Sequence, residues 1–347
     1  MKRYVLLSTL LSTVIFAQDK ISQIQDSQKQ DLYQKDKEVI STHGEFLYWN
    51  VRENSLDYGL KMKDQEWGPT NFFALGKYQT GTFTYSPGFR VALSYYNAPE
   101  YYEVWAQYTW LHSQGNNSAH KPSNPNLYLD GTWPTSSSPT LAAHSHIKLT
   151  YNLADAFFTR VFIPNPKLKL RLLGGLTVAW MNQDWSVQYL SENTFSKLKN
   201  NWDFWGIGFR TGGTADCFLG YDFYITAKTT AAVLLGRYHN HGLQKTNFIP
   251  PSVYPPSSFN TNIPIRNAYY EDTRCVYTIQ FVVGPSWQKN FTSSRIEVFA
   301  GYEITSWFNV LEVFRSIPGA NDYSQQTIVN NGAMSLDGLT ARLTIDF

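Results

Sequence analysis

Apolar and polar residues alternate along most of the chain after Gly44, which is the period of a β-strand. In one run, large apolar residues share a face, and they are Leu168, Leu170, Leu172, Leu176, Val178 and Trp180. The same alternation recurs in four further stretches, at 83–95, 221–235, 275–283 and 296–304. Runs of about nine or more residues exceed the usual five or six of a soluble sandwich and match the length that crosses a bilayer at a tilt. The pattern therefore predicts an all-β fold, a transmembrane antiparallel β-barrel.

The strand count follows from these runs. We predict about twelve strands, within a range of about ten to fourteen, because an even count returns both chain ends to the periplasm. They lie near 44–52, 55–63, 70–78, 83–95, 101–112, 146–162, 168–183, 202–216, 221–237, 273–287, 294–307 and 335–347. Residues 44–63 also fit one bent strand, which would lower the count to about ten. Asp155 interrupts the apolar row of 147–153 and predicts a β-bulge or a strand end there.

The links between predicted strands alternate in length. The short links are 96–100, 163–167, 217–220 and 288–293, and the long ones are about 113–145, 184–201, 238–272 and 308–334. An outer-membrane barrel has short periplasmic turns and long extracellular loops, whereas a sandwich has no reason to segregate them. The links therefore favour the barrel.

The amino terminus predicts export. Lys2 and Arg3 precede an apolar run to Phe16 and then Ala17, so residues 1–17 form a predicted signal peptide. Residues 18–42 form a predicted polar periplasmic segment, and residues 43–347 the barrel. No later stretch approaches the roughly 18 consecutive apolar residues of a membrane-spanning helix.

Charge and cysteine content exclude some classes. The chain has 29 Lys+Arg against 27 Asp+Glu, a formal charge of +2, which gives no sign of a nucleic-acid partner. Cys217 and Cys275 form no CxxC pair, and they are predicted to lie near opposite membrane faces, too far apart for a disulfide. His144, His146, His239 and His241 lack a recognisable partner and are interpreted as solvated residues near the extracellular side. We predict no catalytic site, no metal and no cofactor.

Several stretches resemble the Legionella-type major outer membrane protein family, which includes similar proteins of Chlamydia-related bacteria. They are GEFLYWNVRENSLDYG (44–59), SPGFRVALSY (86–95), YYEVWAQYTWLHS (101–113) and LRLLGGLTVAW (170–180). Ser55 stands where the family usually carries Gly. The resemblance implies a pore-forming barrel in the bacterial outer membrane, that is, a porin.

If the apolar rows face lipid, the opposite rows face the lumen. The charged residues predicted to line it are Arg90, Glu103, Lys148, Lys169, Arg171, Asp203, Arg210, Asp222, Lys228, Arg274, Glu297, Glu303, Arg342 and Asp346. Charges in a pore set its ion preference. The alternative is that opposite charges pair across strands and plug the barrel. Barrels of about eight strands are filled and those of about 16 to 18 are open, so about twelve strands favour a narrow water-filled pore.

Aromatic residues near the predicted strand ends indicate interfacial girdles. They are Tyr108, Trp110, Trp180, Trp205, Trp287, Trp307 and Phe347, whereas Trp105 is a candidate for an inward ring that stacks on sugar. A terminal aromatic on an alternating strand resembles the signal read by the barrel assembly machinery, so we assign that role to Phe347.

We predict a passive porin for ions and small hydrophilic solutes, with outer-membrane lipid and the assembly machinery as partners. A homo-oligomer is left open. The alternatives are a non-conducting barrel acting as a surface adhesin or envelope structural protein, and a barrel lipid hydrolase, which the missing catalytic constellation disfavours.

Overall fold

The computed structural model describes residues 38–63, 76–97, 100–124, 127–133, 140–165, 167–191, 195–246, 263–291, 294–317 and 325–347. The predicted signal peptide and residues 18–37 of the predicted polar segment lie outside these ranges. The strands are β1 (Glu38–Glu53), β2 (Asp57–Lys63), β3 (Gly76–Thr80), β4 (Ser86–Asn97), β5 (Tyr102–His120), β6 (Leu127–Gly131), β7 (Thr140–Asn165), β8 (Leu168–Ser191), β9 (Phe195–Gly220), β10 (Phe223–Thr246), β11 (Ile263–Asn290), β12 (Arg295–Ile317) and β13 (Gln325–Asp346). No helix in the described ranges is long and apolar enough to cross a membrane.

The sheet closes on itself. β1 pairs with both β4 and β13, and β7 pairs with both β5 and β8, so the described strands form a closed antiparallel ring of ten: β1, β4, β5 and β7 to β13. Closure removes the exposed edges of an open sheet. The predicted strands 55–63 and 70–78 correspond to β2 and β3, which lie outside the ring. With β6 they form a small sheet joined to β7 by the pair Leu129–Thr140. The all-β barrel prediction is confirmed.

Most strands are far longer than a bilayer requires. β7 to β13 have 22 to 28 residues each, against about 9 to 11 for a membrane crossing. The outward apolar row of β10 runs from Phe223 to Leu235, and Arg237, His239 and His241 continue it beyond. The predicted long loops are therefore wrong over much of their length, because the strands continue past the apolar band. Their outward residues turn polar there, but cross-strand pairing still satisfies their backbones.

The opposite end carries short turns and both described chain ends, and we call it the periplasmic end. The turn between β9 and β10 uses positive φ angles at Gly220, Tyr221 and Asp222. Phe347 and Ile40 exchange two backbone hydrogen bonds of 2.9 and 3.2 Å. β1 begins at Glu38, inside the segment predicted to be polar and periplasmic.

The interior is packed with apolar side chains in its extracellular half. Fully buried members include Trp49, Tyr151, Trp185 and Trp307 from the ring, and β2 and β6 add further side chains, among them Tyr58 and Leu129. The inward rows therefore carry large apolar residues in this half of the barrel. The bulge or strand end predicted at Asp155 is absent, since β7 pairs with β8 without a register shift from Ala142 to Phe162. The apolar row before Asp155 and Asp155 itself lie on the same inward face.

Candidate functional site

The periplasmic half of the interior is polar, and its centre is a buried ion triad. Arg90 on β4 points inward and is 3% exposed. Its guanidinium contacts Glu45 on β1 and lies 2.8 Å from Glu303 Oε1 on β12, while its Nε donates to Thr109 Oγ1 at 2.9 Å. Because three different strands supply these groups, the triad links a run of four consecutive strands of the ring, from β4 through β1 and β13 to β12.

Glu303 is the main acceptor of this centre. It is fully buried and also receives hydrogen bonds from Gln280 Nε2 at 2.5 Å and from Thr340 Oγ1 at 3.1 Å. Trp49 stacks on the other side of Arg90, with its ring centre 5.5 Å from the guanidinium carbon. A buried charge needs a full set of partners to offset the loss of water, and Glu303 has them.

Further ion pairs surround the triad. On the periplasmic side, Arg342 pairs with Glu297 at 2.7 Å and Arg295 with Asp346 at 2.5 Å. The other pairs are Arg171 with Asp216 at 2.5 Å and Arg210 with Asp155 at 3.4 Å. Charges of opposite sign therefore meet across neighbouring strands through much of the polar half.

A separate ion cluster lies inside the extracellular half. Arg274 pairs with Asp272 at 2.8 Å and with Glu312 at 3.1 Å, and its guanidinium stacks on the ring of Tyr238 at 3.8 Å. The Tyr238 hydroxyl donates to the Glu312 backbone carbonyl. The Arg274 side chain is nearly inaccessible, whereas that of Asp272 is 28% exposed.

Most of the residues predicted to line a pore lie on the inward rows of their strands. These are Arg90, Glu103, Lys169, Arg171, Arg210, Lys228, Arg274, Glu297, Glu303, Arg342 and Asp346. Three predicted positions are corrected. Lys148 and Asp203 are exposed on the outer face, because the inward rows at those levels are apolar and carry Ile147, Leu149 and Phe204. Asp222 lies in the β9–β10 turn, 3.9 Å from Lys289.

Sequence reasoning missed six of the ion partners named above. They are Glu45, Asp155, Asp216, Arg295, Asp272 and Glu312. Two of them could have been found from the alternation of faces along a strand. Arg295 is two residues before Glu297 and Asp216 is six after Arg210, so each shares a face with a residue that was predicted to line the lumen. The signal was obscured on β1, where Leu47 and Trp49 share the inward row with Glu45.

The predicted girdle aromatics divide between the two faces. Tyr108, Trp110, Trp180, Trp205 and Trp287 belong to outward rows, and Tyr108 stacks near Trp180 with ring centres 5.9 Å apart. Trp307 is corrected, because it is fully buried in the interior on the same row as Glu303. Phe347 is 63% exposed beside the first strand. Trp105 faces inward, as its candidate role requires.

The histidines lie on strands instead of in loops. His239 faces outward above the apolar band, with Nδ1 2.9 Å from Asp203 and Nε2 3.7 Å from Glu271. His241 stacks on Tyr269 with ring centres 4.2 Å apart. In the described ranges, no group of three or more His, Cys, Asp or Glu is arranged to hold a metal ion.

A cavity occupies the polar half between the periplasmic end and the triad. The cavity has a volume of about 80 Å³ and opens in part to solvent. We call it the periplasmic chamber. It is lined by charged and polar side chains together with the ring of Trp105, and its residues include Ser41, His43, Glu103, Lys228 and Arg342. Beyond the triad, the apolar core fills the interior.

The chain is similar to a known protein family and to several solved structures. The sequence model of a family described as Legionella pneumophila major outer membrane protein precursor matches residues 36–347, nearly the whole chain. No curated protein matches the chain in sequence.

Among solved structures, the outer membrane protease OmpT of Escherichia coli is similar over 89% of this chain and 96% of that chain, at 11% identity and a TM-score of 0.41. A Pseudomonas aeruginosa FadL homologue covers 90% of each chain at 6% identity and a TM-score of 0.25. The Pseudomonas putida toluene transporter TodX covers 90% of this chain and 89% of that chain, at 8% identity and a TM-score of 0.24.

Proposed function

Because the chain belongs to the Legionella major outer membrane protein family and resides in the bacterial outer membrane, we propose that it is a structural outer-membrane barrel with a closed lumen. The observation that carries this proposal is the apolar core inside the extracellular half of the ring. Trp49, Tyr151 and Trp307 are at most 2% exposed there.

An ion that crossed this core would lose its hydration without gaining polar partners. Moving an isolated charge into an apolar interior is very costly, and hydrophobic constrictions close channels by excluding water. A ring of ten strands is also close to the size of about eight at which side chains fill the interior. Both arguments favour the non-conducting barrel over the open porin.

Single-channel recording of the refolded mature protein in a planar bilayer tests the proposal. We expect a heat-modifiable, folded barrel that produces no discrete current steps. A large-channel porin refolded and inserted in the same way is the positive control for insertion. Reproducible steps from the wild-type chain would refute the closed lumen.

The passive porin predicted from the sequence is the second candidate, and the periplasmic chamber favours it. The chamber is polar, charged and open in part to solvent, as one half of a permeation path would be. In that case the apolar core acts as a gate, and conductance should appear when large side chains of the core are truncated. Trp307→Ala together with Trp49→Ala is the variant that tests this, and the reversal potential in a salt gradient gives the ion preference.

The proposal assigns no enzymatic activity to the chain. OmpT is a protease, but its likeness to this chain has a TM-score below 0.5 and carries no argument about activity. A peptide-hydrolysis assay on the refolded barrel should give no turnover. Partnership with outer-membrane lipid and the assembly machinery, and a homo-oligomer, remain proposals tested by native mass spectrometry from lipid nanodiscs.

A further inference from the structure

The strands around the extracellular half extend beyond the apolar band, and their outward side chains there form two polar rows. Each row follows the cross-strand register from β5 toward β10. The first row is Asn116, His146, Ser186 and Lys199, and the second is Ser118, His144, Gln188, Lys197 and Lys245. Neighbouring members of a row lie on adjacent strands and on the same side of the sheet, so they form one continuous surface. We call it the basic outer face.

The three lysines of this face carry charges that the described chain does not neutralise. Lys197, Lys199 and Lys245 make no ion pair or hydrogen bond with any residue that the structure describes. Lys197 and Lys245 lie directly opposite each other on β9 and β10. Like charges in that position repel each other and weaken a sheet. An anion bound between them would turn this repulsion into attraction.

The acidic residues of the same outer wall lie nearer the membrane. On the described parts of β7 to β11 beyond the apolar band, the outward acids are Asp184, Asp203 and Glu271. Glu271 pairs with Arg237 at 3.1 Å, and Asp203 lies 2.9 Å from His239. Charges are therefore matched just above the band, whereas an excess of positive charge remains further out, at the basic outer face.

The height of this face above the membrane follows from strand geometry. Trp180 and Trp205 are paired across β8 and β9, and they end the continuous outward apolar rows of both strands. Lys199 lies six residues beyond Trp205, which is about 20 Å along the strand at about 3.3 Å per residue. With a tilt of about 35–45°, its Cα is about 15 Å above the apolar band. In a bacterial outer membrane, the carbohydrate headgroups of the outer leaflet occupy this level.

The other side chains of the basic outer face suit a saccharide. They are amides, hydroxyls and imidazoles, which donate and accept hydrogen bonds as sugar hydroxyls do. A shallow depression of about 330 Å³ lies between β5, β7 and β8, and residues of both rows line it, including His144 and Gln188. That volume is at the lower end of the usual range of small-ligand sites, about 300 to 1,000 Å³. The depression adjoins the lysines, because Gln188 faces Lys197 directly across β8 and β9.

We propose that the basic outer face binds lipopolysaccharide of the surrounding outer leaflet through its phosphorylated, acidic core saccharide. The phosphate or sugar carboxylate groups lie between Lys197, Lys199 and Lys245, and the sugar hydroxyls contact the amides and imidazoles of β5, β7 and β8. Clusters of lysine recognise anionic headgroups in the same way at other membrane surfaces. The inference rests on the lipid partnership proposed above and is independent of the closed lumen, so lipopolysaccharide binding and conductance can fail separately.

Native mass spectrometry of the refolded mature chain in detergent micelles tests the site with three lipids. They are lipopolysaccharide truncated after the inner core, lipid A, which lacks the core, and phosphatidylglycerol, which is anionic but carries no sugar. We expect the inner-core lipopolysaccharide to bind most tightly. Lys197→Gln together with Lys245→Gln should weaken its binding about ten-fold or more, because two of the three cations are lost.

The matched control is Lys61→Gln together with Lys77→Gln. These two lysines also face each other across neighbouring strands, on β2 and β3, but Leu129 follows them on β6 instead of a row of hydrogen-bonding side chains. The control removes the same number of charges from the same kind of cross-strand pair and should leave lipopolysaccharide binding unchanged.

Equal affinity of the Lys197→Gln, Lys245→Gln variant and the wild-type chain for inner-core lipopolysaccharide overturns the proposal. Binding of lipid A or phosphatidylglycerol as tightly as inner-core lipopolysaccharide overturns the assignment to the core saccharide. Acetylation footprinting of the wild-type chain by mass spectrometry gives an answer even if a variant does not fold. Inner-core lipopolysaccharide should protect Lys197 and Lys245 and leave Lys167, in the β7–β8 turn, unprotected. Equal labelling of Lys197 and Lys245 with and without the lipid refutes the site.

Discussion

Removing Arg90 is the sharpest test of the polar interior. Arg90→Met leaves the carboxylates of Glu45 and Glu303 facing each other without the cation that both contact. The side chains are nearly inaccessible, at 4% for Arg90, 6% for Glu45 and 0% for Glu303. Breaking a buried pair by removing one partner costs about 3–5 kcal/mol, because the remaining charge stays buried without compensation.

The matched control is Arg237→Met. Arg237 also pairs with a carboxylate, at 3.1 Å from Glu271, but the two side chains are 65% and 61% exposed. An exposed pair contributes only about 0–1 kcal/mol, since water screens it. The contrast between the two substitutions therefore isolates burial from the loss of an arginine as such.

Equilibrium unfolding of the refolded barrel in lipid vesicles measures both effects. Denaturant titration followed by tryptophan fluorescence gives the free energy of unfolding of each variant. The triple variant Arg90→Met, Glu45→Gln, Glu303→Gln should recover part of the loss, because it leaves no unpaired charge. Equal destabilisation by Arg90→Met and Arg237→Met, or no recovery in the triple variant, would refute the buried-triad reasoning.

Three further predictions use the same unfolding measurement or a simple fractionation. Trp307→Ala should cost about 3–5 kcal/mol because it opens a cavity in the interior core, whereas Trp205→Ala on the outward face should cost less; a reversed order would place Trp307 outside. Gly220→Ala should cost about 1 kcal/mol, because φ at Gly220 is 115°, while Gly44→Ala, with open space at its Cβ, should stay within about 0.5 kcal/mol. Phe347→Ser should lower the amount of folded barrel in the outer-membrane fraction without changing unfolding in vitro; unchanged assembly in cells would remove the signal role of Phe347.

The barrel and its outward face were predictable because one rule governs them. Between Phe223 and Leu235 every second residue faces lipid, so apolar residues alternate with the inward ones along the sequence with few exceptions. The short turns at one end were predictable for a similar reason, since a tight reversal leaves little room between two alternating runs. The position of β2 and β3 outside the ring was not, because short strands outside the ring obey no lipid constraint.

The interior was harder to predict because it follows two rules along one row. On β12, Glu297, Glu303 and Trp307 all face inward, although the first two are charged and the third is apolar. If every apolar residue is assumed to face lipid, Trp307 is placed on the outer face of the barrel and Lys148 in the lumen. Both placements are wrong. Strand parity, continued from a residue of known direction, gives the correct side in both cases. This use of parity requires that the strand has no bulge between the two residues compared. β7 has none around Lys148.

This division of the inward rows explains how the chain combines a stable barrel with a polar cavity. The apolar half buries large side chains and needs no partners, whereas the polar half places each arginine against a carboxylate from another strand. Pairing of that kind fixes strand register, because a one-residue slip of β4 would turn Arg90 outward, and the same slip of β12 would turn Glu303 outward.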